Sequence, residues 1–207
     1  KQWPRRFRLL ARLRIFLWIM VALAGMGFIG LYAWRGAFQE EASQPALDTI
    51  RADYSLTSHT GETVTEDRYL GKWQLVFFGF THCPDICPTT LAEVATVIDG
   101  LGDVARNVQP LFISVDPERD SPSAMAEYVT AFHPALVGLT GEPGAVAKAA
   151  RAFSAYYEMQ PERGAHDGYT MSHSSALYLL DPKGRFVRLF AYGTPAAEII
   201  EDLKERL

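Results

Sequence analysis

WQLVFFGF, residues 73–80, is near-continuously apolar, and a proline-rich connection leads from it into a helical pattern. An apolar run of this length without alternation fits a strand buried on both faces, which requires helices above and below it. Beyond it, Leu91, Val94, Ala95, Val97, Ile98 and Leu101 recur at the spacing of one helix face, closed by Gly100 and Gly102. LFISV, residues 111–115, then supplies a second buried strand. Strand, helix and strand in that order demand a crossover connection, and hence a parallel core sheet.

The flanking segments complete the expected order. DYSLT from Asp53 and ETVT from Glu62 flank His59-Thr60-Gly61, which reads as a hairpin turn. Ser121 and Pro122 open a helix, as an N-cap serine followed by a first-turn proline should. A short strand is expected over residues 136–139, and a helix from Pro143 through Ala147, Ala150 and Phe153 to Tyr157. SSALYLL, residues 174–180, and FVRLF, residues 186–190, are joined by Asp181-Pro182-Lys183-Gly184, which suits a type I turn. Thr194 and Pro195 cap and open the last helix. The fold class is therefore α/β, a mixed sheet flanked by helices, and the order resembles a thioredoxin-like domain.

Charge divides the chain before that domain begins. Lys1, Arg5, Arg6, Arg8, Arg12, Arg14 and Arg35 are the only charged residues before Gln39, which leaves 13 basic against 24 acidic residues in the remainder. So acidic a body, at about −11, argues against nucleic acid as a partner. IFLWIMVALAGMGFIGLYAW, residues 15–34, carries no charge. At about 1.5 Å per residue it covers the roughly 30 Å apolar layer of a bilayer. Trp18 at one end, Tyr32 and Trp34 at the other, and six basic residues ahead of it match interfacial aromatics and a cytoplasmic N-terminus. Ala22-Leu23-Ala24 resembles a signal-peptidase site, but the apolar run continues past it, so a retained anchor is expected. The expected division is a basic cytoplasmic arm over 1–14, one transmembrane helix over 15–34, a linker over 35–52 and the domain over 53–207. That division places the domain in a periplasm, on a bacterial inner membrane in preference to a mitochondrial one.

The connection after the first buried strand, THCPDICP, holds the chain's only two cysteines, Cys83 and Cys87. Ligands gather at the carboxyl edge of a parallel sheet, where this connection falls. Pro88 suits a first helical position, which predicts a helix starting there with Cys87 as its cap. The positive helix end favours thiolate, at once a nucleophile and a metal ligand. Cα atoms about 6 Å apart permit a disulfide, whereas the reduced pair can clamp one soft ion. A purely structural disulfide closing so short a loop would restrain little chain entropy.

Five histidines compete to be a third ligand. His173, in DGYTMSHSS, is placed just before the closing hairpin, in the loop that faces the cysteines in a thioredoxin-type arrangement. His59 and His133 read as solvent-exposed, His82 points away from its neighbour Cys83, and His166 lies in a glycine-flanked loop. Met171 offers a soft sulfur but is expected to pack. Two thiolates and one imidazole favour copper over structural zinc, which wants four protein ligands.

THCPDICP, SVDPERD over residues 114–120 and YTMSHS over residues 169–174, behind one N-terminal anchor, resemble the Sco/SenC family across residues 54–207. The resemblance implies copper, as Cu(I), Cu(II) or both, held by Cys83, Cys87 and His173. It also implies a metallochaperone that assists assembly of the dinuclear copper centre of cytochrome c oxidase subunit II. Its partners would be that subunit or a related acceptor, and a copper donor. The alternative is a thiol-disulfide oxidoreductase acting through Cys83 and Cys87; a copper or redox sensor is a third reading. Only the oxidoreductase would be an enzyme. Asp116 falls in the family's aspartate-proline segment and reads equally as a turn former.

Overall fold

The computed structural model describes residues 17, 18, 20, 25, 26, 52–162 and 168–207. The expected anchor and linker lie outside the described residues, apart from helical Leu17, Trp18, Met20, Gly25 and Met26, and Ala52. Among the described residues, no helix is long and apolar enough to cross a membrane. Residues Leu47–Leu207 form one compact unit, distinct from Lys1–Ala46.

The unit is built on a seven-stranded sheet. Its strands are β1 (Ser55–Ser58), β2 (Thr63–Thr65), β3 (Trp73–Gly79), β4 (Val108–Ser114), β5 (Val137–Thr140), β8 (Leu177–Leu180) and β9 (Phe186–Phe190), in the spatial order β2-β1-β5-β4-β3-β8-β9. Two further strands, β6 (Tyr157–Pro161) and β7 (Tyr169–His173), pair only with each other as an antiparallel ribbon. The helices are α1 (Ile86–Leu101), α2 (Pro122–Thr130), α3 (Pro143–Ala152) and α4 (Ala196–Arg206). β3 runs parallel to β4 and antiparallel to β8, while β4 and β5 are parallel, so the sheet is mixed as expected.

Burial explains why β3 carries no polar alternation. Every residue from Gln74 to Gly79 is buried. Phe78 packs edge-on against Phe153 and Tyr178 on one face, and Phe77 stacks on Phe112 on the other. Each fully buried aromatic or aliphatic chain contributes roughly 1.5–3 kcal/mol through removal from water. Ser121 caps α2 as expected, its hydroxyl accepting from the Ala124 N–H at 3.2 Å. Gly184, at φ 72°, closes the β8–β9 turn with its N–H on the Asp181 carbonyl.

Several boundaries depart from expectation, each for a local reason. Helix α1 starts at Ile86, with Asp85 at its cap, so Cys87 lies inside the first turn. Pro88 is then the third helical residue, still among the positions whose N–H has no intrahelical partner. Helix α3 stops at Ala152 because Ser154 adopts a left-handed φ of 52°, and Tyr157 belongs to β6. The last helix begins one residue late, with Pro195 as its cap.

Candidate metal centre

β3 delivers the chain to the carboxyl edge of the sheet, where the Cys83 N–H turns back onto the Phe80 carbonyl at 3.3 Å. Cys83 is partly exposed and Cys87 fully buried, and both are free thiols. Cys87 is seated by an absence: a β-carbon on Gly79 would come within 2.6 Å of its Sγ and 2.7 Å of the Phe112 ring. Glycine at that position is what leaves the sulfur room. The unpartnered N–H of Cys87, in the first turn of α1, points at Cys83 Sγ at 3.4 Å. The sulfur of Cys83 thus serves the helix end as an acceptor.

His173 arrives on strand β7, not in a loop. Its ring stands edge-on to Phe77 and Phe80, with centroids 5.9 and 5.8 Å away. Nδ1 lies 2.9 Å from the Ser174 carbonyl and donates to it, which fixes the tautomer and leaves the Nε2 lone pair free. Nε2 lies 3.4 Å from Cys87 Sγ. The two sulfurs and the histidine nitrogen all fall within 4.8 Å of one another. Cys83, His173, Phe80, Ile86 and Met171 line a groove that leaves one side of this group reachable from solvent.

The thiols are electrostatically unequal. The S–H of Cys87 donates toward Cys83, and the N–H groups of Cys87 and Asp85 add to it, so the Cys83 pKa falls to about 4. The same hydrogen bond, with burial, pushes the Cys87 thiol up. At neutral pH the pair is one thiolate and one thiol.

Two buried carboxylates hold the frame, and their partners are too distant in sequence to be read locally. Asp120 accepts from the Thr81 N–H and hydroxyl and from the Ser114 hydroxyl, at 3.1, 2.6 and 2.6 Å, tying the cysteine loop to the end of β4. Burial raises its pKa. Asp116 is more than a turn former: it accepts from Arg119 Nε and, at 3.0 Å, from the Tyr169 hydroxyl. The Arg119 guanidinium stacks 3.9 Å from the Tyr169 ring centroid. This network fastens the start of β7, and with it the strand that carries His173.

Among the described residues, no other histidine joins the two sulfurs in a group that could hold one ion. His82 is half exposed and rests on the Thr81 hydroxyl. His59 and His133 are partly buried and not solvent-exposed as expected, because each ring accepts a backbone N–H, from Gly138 and Ala135 respectively. His166 lies outside the described residues. Met171 packs in the core, as expected. Larger clefts occur at the opposite edge of the sheet, around Arg68, Lys72 and Gln109 and around Arg106 and His133, but they bring no sulfur together with imidazole. A soft donor set of two sulfurs and one nitrogen suits a monovalent copper ion better than a four-ligand structural zinc.

A family model described as SCO1/SenC matches residues 42–207. The human protein SCO1 homolog, mitochondrial, is 45% identical over 179 residues, covering 86% of this chain and 59% of its own length. Among solved structures, ScoI of Arabidopsis thaliana with copper bound gives a TM-score of 0.71 at 39% identity, over 75% of this chain and 96% of its own. ScoI of Bradyrhizobium japonicum with copper bound gives 0.71 at 42% identity, over 76% and 99%.

Proposed function

The chain belongs to the SCO1/SenC family, and on that footing we propose that it is a copper metallochaperone in which Cys83, Cys87 and His173 hold the ion. The observation that carries this reading is the approach of two sulfurs and Nε2 to within 4.8 Å. The copper-bound structures of two relatives support it. The partly exposed Cys83 thiolate captures Cu(I), Cys87 gives up its proton on binding, and the oriented Nε2 completes the set. An open side lets an acceptor's thiolates displace these ligands one at a time. The acceptor we propose is cytochrome c oxidase subunit II, supplied through this chain from a separate donor. Residues 15–34 would anchor the chain in a bacterial inner membrane, with residues 1–14 cytoplasmic and the domain periplasmic; the six basic residues ahead of the span support that orientation.

One observation favours a second reading, a thiol-disulfide reductase of the acceptor's cysteines. A partly exposed low-pKa thiol beside a buried one is the pairing of an attacking and a resolving cysteine. Copper titration of the reduced full chain separates the two. One equivalent of Cu(I) is expected to bind to the native chain and to His173→Ala, whose two sulfurs remain. For Cu(II), the variant should lose more than the roughly 10–100-fold that removal of an outer-shell partner costs. If His173→Ala binds both oxidation states as the native chain does and keeps full disulfide reductase activity, the reductase reading replaces the chaperone.

A further inference from the structure

The ribbon that presents His173 carries a second kind of soft donor. Met171 and His173 are two residues apart in β7, and Met159 of β6 is the direct cross-strand partner of Met171. Alternation along a strand therefore puts Met159, Met171 and His173 on one face of the ribbon. Met171 is buried and lines the groove that contains Cys83 and His173, whereas Met159 is 49% exposed. Two of the chain's five methionines thus stand side by side, one half exposed and one buried in the groove lined by Cys83 and His173. Residues directly opposite across an antiparallel pair have Cβ atoms about 4.5–5.5 Å apart, which two flexible thioether chains can close around one ion. A leucine would serve the packing of Met171 equally, and half-exposed Met159 gains little from packing.

Thioethers are neutral, soft ligands that suit Cu(I) and need no deprotonation, so they hold the ion more loosely than thiolates do. Resting on the chaperone reading, we propose that Met159 and Met171 form an entry and exit subsite for monovalent copper, from which the ion passes to Cys83, Cys87 and His173. In the transfer, two thioether–copper bonds give way to bonds from Cys83, Cys87 and Nε2. The Cys87 proton leaves to solvent, and the ion stays monovalent throughout.

The test uses the reduced full chain labelled with methyl-13C methionine. In a Cys83→Ser, Cys87→Ser variant, Ag(I), a diamagnetic monovalent probe, is expected to shift the methyl resonances of Met159 and Met171 and to leave that of buried Met125 in place. In the otherwise native chain, Met159→Leu should still take up one equivalent of Cu(I) from a bicinchoninate complex, but roughly tenfold more slowly, the effect of about 1.4 kcal/mol on a barrier. Unmoved Met159 and Met171 resonances, or unchanged uptake by Met159→Leu, overturn the subsite. Failure of the native chain to bind copper would instead overturn the chaperone reading, and the silver arm reads the thioethers independently of that result.

Discussion

Cys83→Ala is expected to cost the reduced chain about 10³-fold in Cu(I) affinity, measured by competition with a chromophoric chelator. The magnitude follows from the scale of thiolate-rich sites: about 10–16 kcal/mol over four zinc ligands is roughly 2.5–4 kcal/mol each, or about 10²–10³-fold. Cys83 stands at the upper end because its sulfur is already ionised at neutral pH, so binding there displaces no proton. It is also partly exposed, and truncating it leaves no core cavity of the kind that buried Cys87 would. The loss therefore reads the site and not the fold. Affinity within about threefold of the native value would remove Cys83 from the ligand set.

The second large effect is on the reactivity of Cys83 with pH. Its thiolate persists until the pH falls through about 4, so alkylation by iodoacetamide should be nearly flat from pH 8 to pH 5 and decline only below that. At pH 5 an ordinary thiol of pKa about 8.5 is about 0.03% ionised, against about 90% for Cys83, a gain of roughly 3,000-fold in thiolate. Lower intrinsic nucleophilicity, with a Brønsted slope of about 0.4–0.5 over about 4.5 units, takes back about 100-fold and leaves roughly 30-fold. Because the largest cause is the hydrogen bond from Cys87, Cys87→Ala should move the midpoint up toward the ordinary thiol value. The sign is that of any acid depressed by a donor: the anion is lost as pH falls through the lowered pKa. A native profile centred near pH 8–9 would show that Cys87 does not donate to Cys83.

What could be read from the sequence was whatever local chemistry fixes. The unalternating run of β3 declared a doubly buried strand because six consecutive residues are in fact enclosed, and the Cys-x-x-x-Cys connection followed it to the sheet edge. The ribbon is not legible in the sequence because YEMQP, residues 157–161, is largely exposed and has no apolar face to betray a strand; its pairing is with β7. Without β6, the alanine-rich pattern of α3 runs on into Tyr157, and His173 falls into a loop it does not occupy. His173 nevertheless lies beside the two sulfurs, because β7 leads directly into β8, which pairs with the strand that precedes the cysteines. Asp116 and Asp120 could not be resolved, because their defining partners, Tyr169 and Thr81, are 53 and 39 residues away. The burial of His59 and His133 is hidden for a related reason: what holds each ring in place is a backbone N–H, and local composition does not reveal it.

Two sulfurs and one imidazole sharing a single soft cation is the claim on which the function rests, and X-ray absorption at the copper edge of the Cu(I)-loaded full chain tests it most directly. Two sulfur scatterers and one nitrogen per copper are expected in the native chain, with the nitrogen alone lost in His173→Ala. A shell of nitrogen and oxygen only, or a native spectrum indistinguishable from that of His173→Ala, would contradict it.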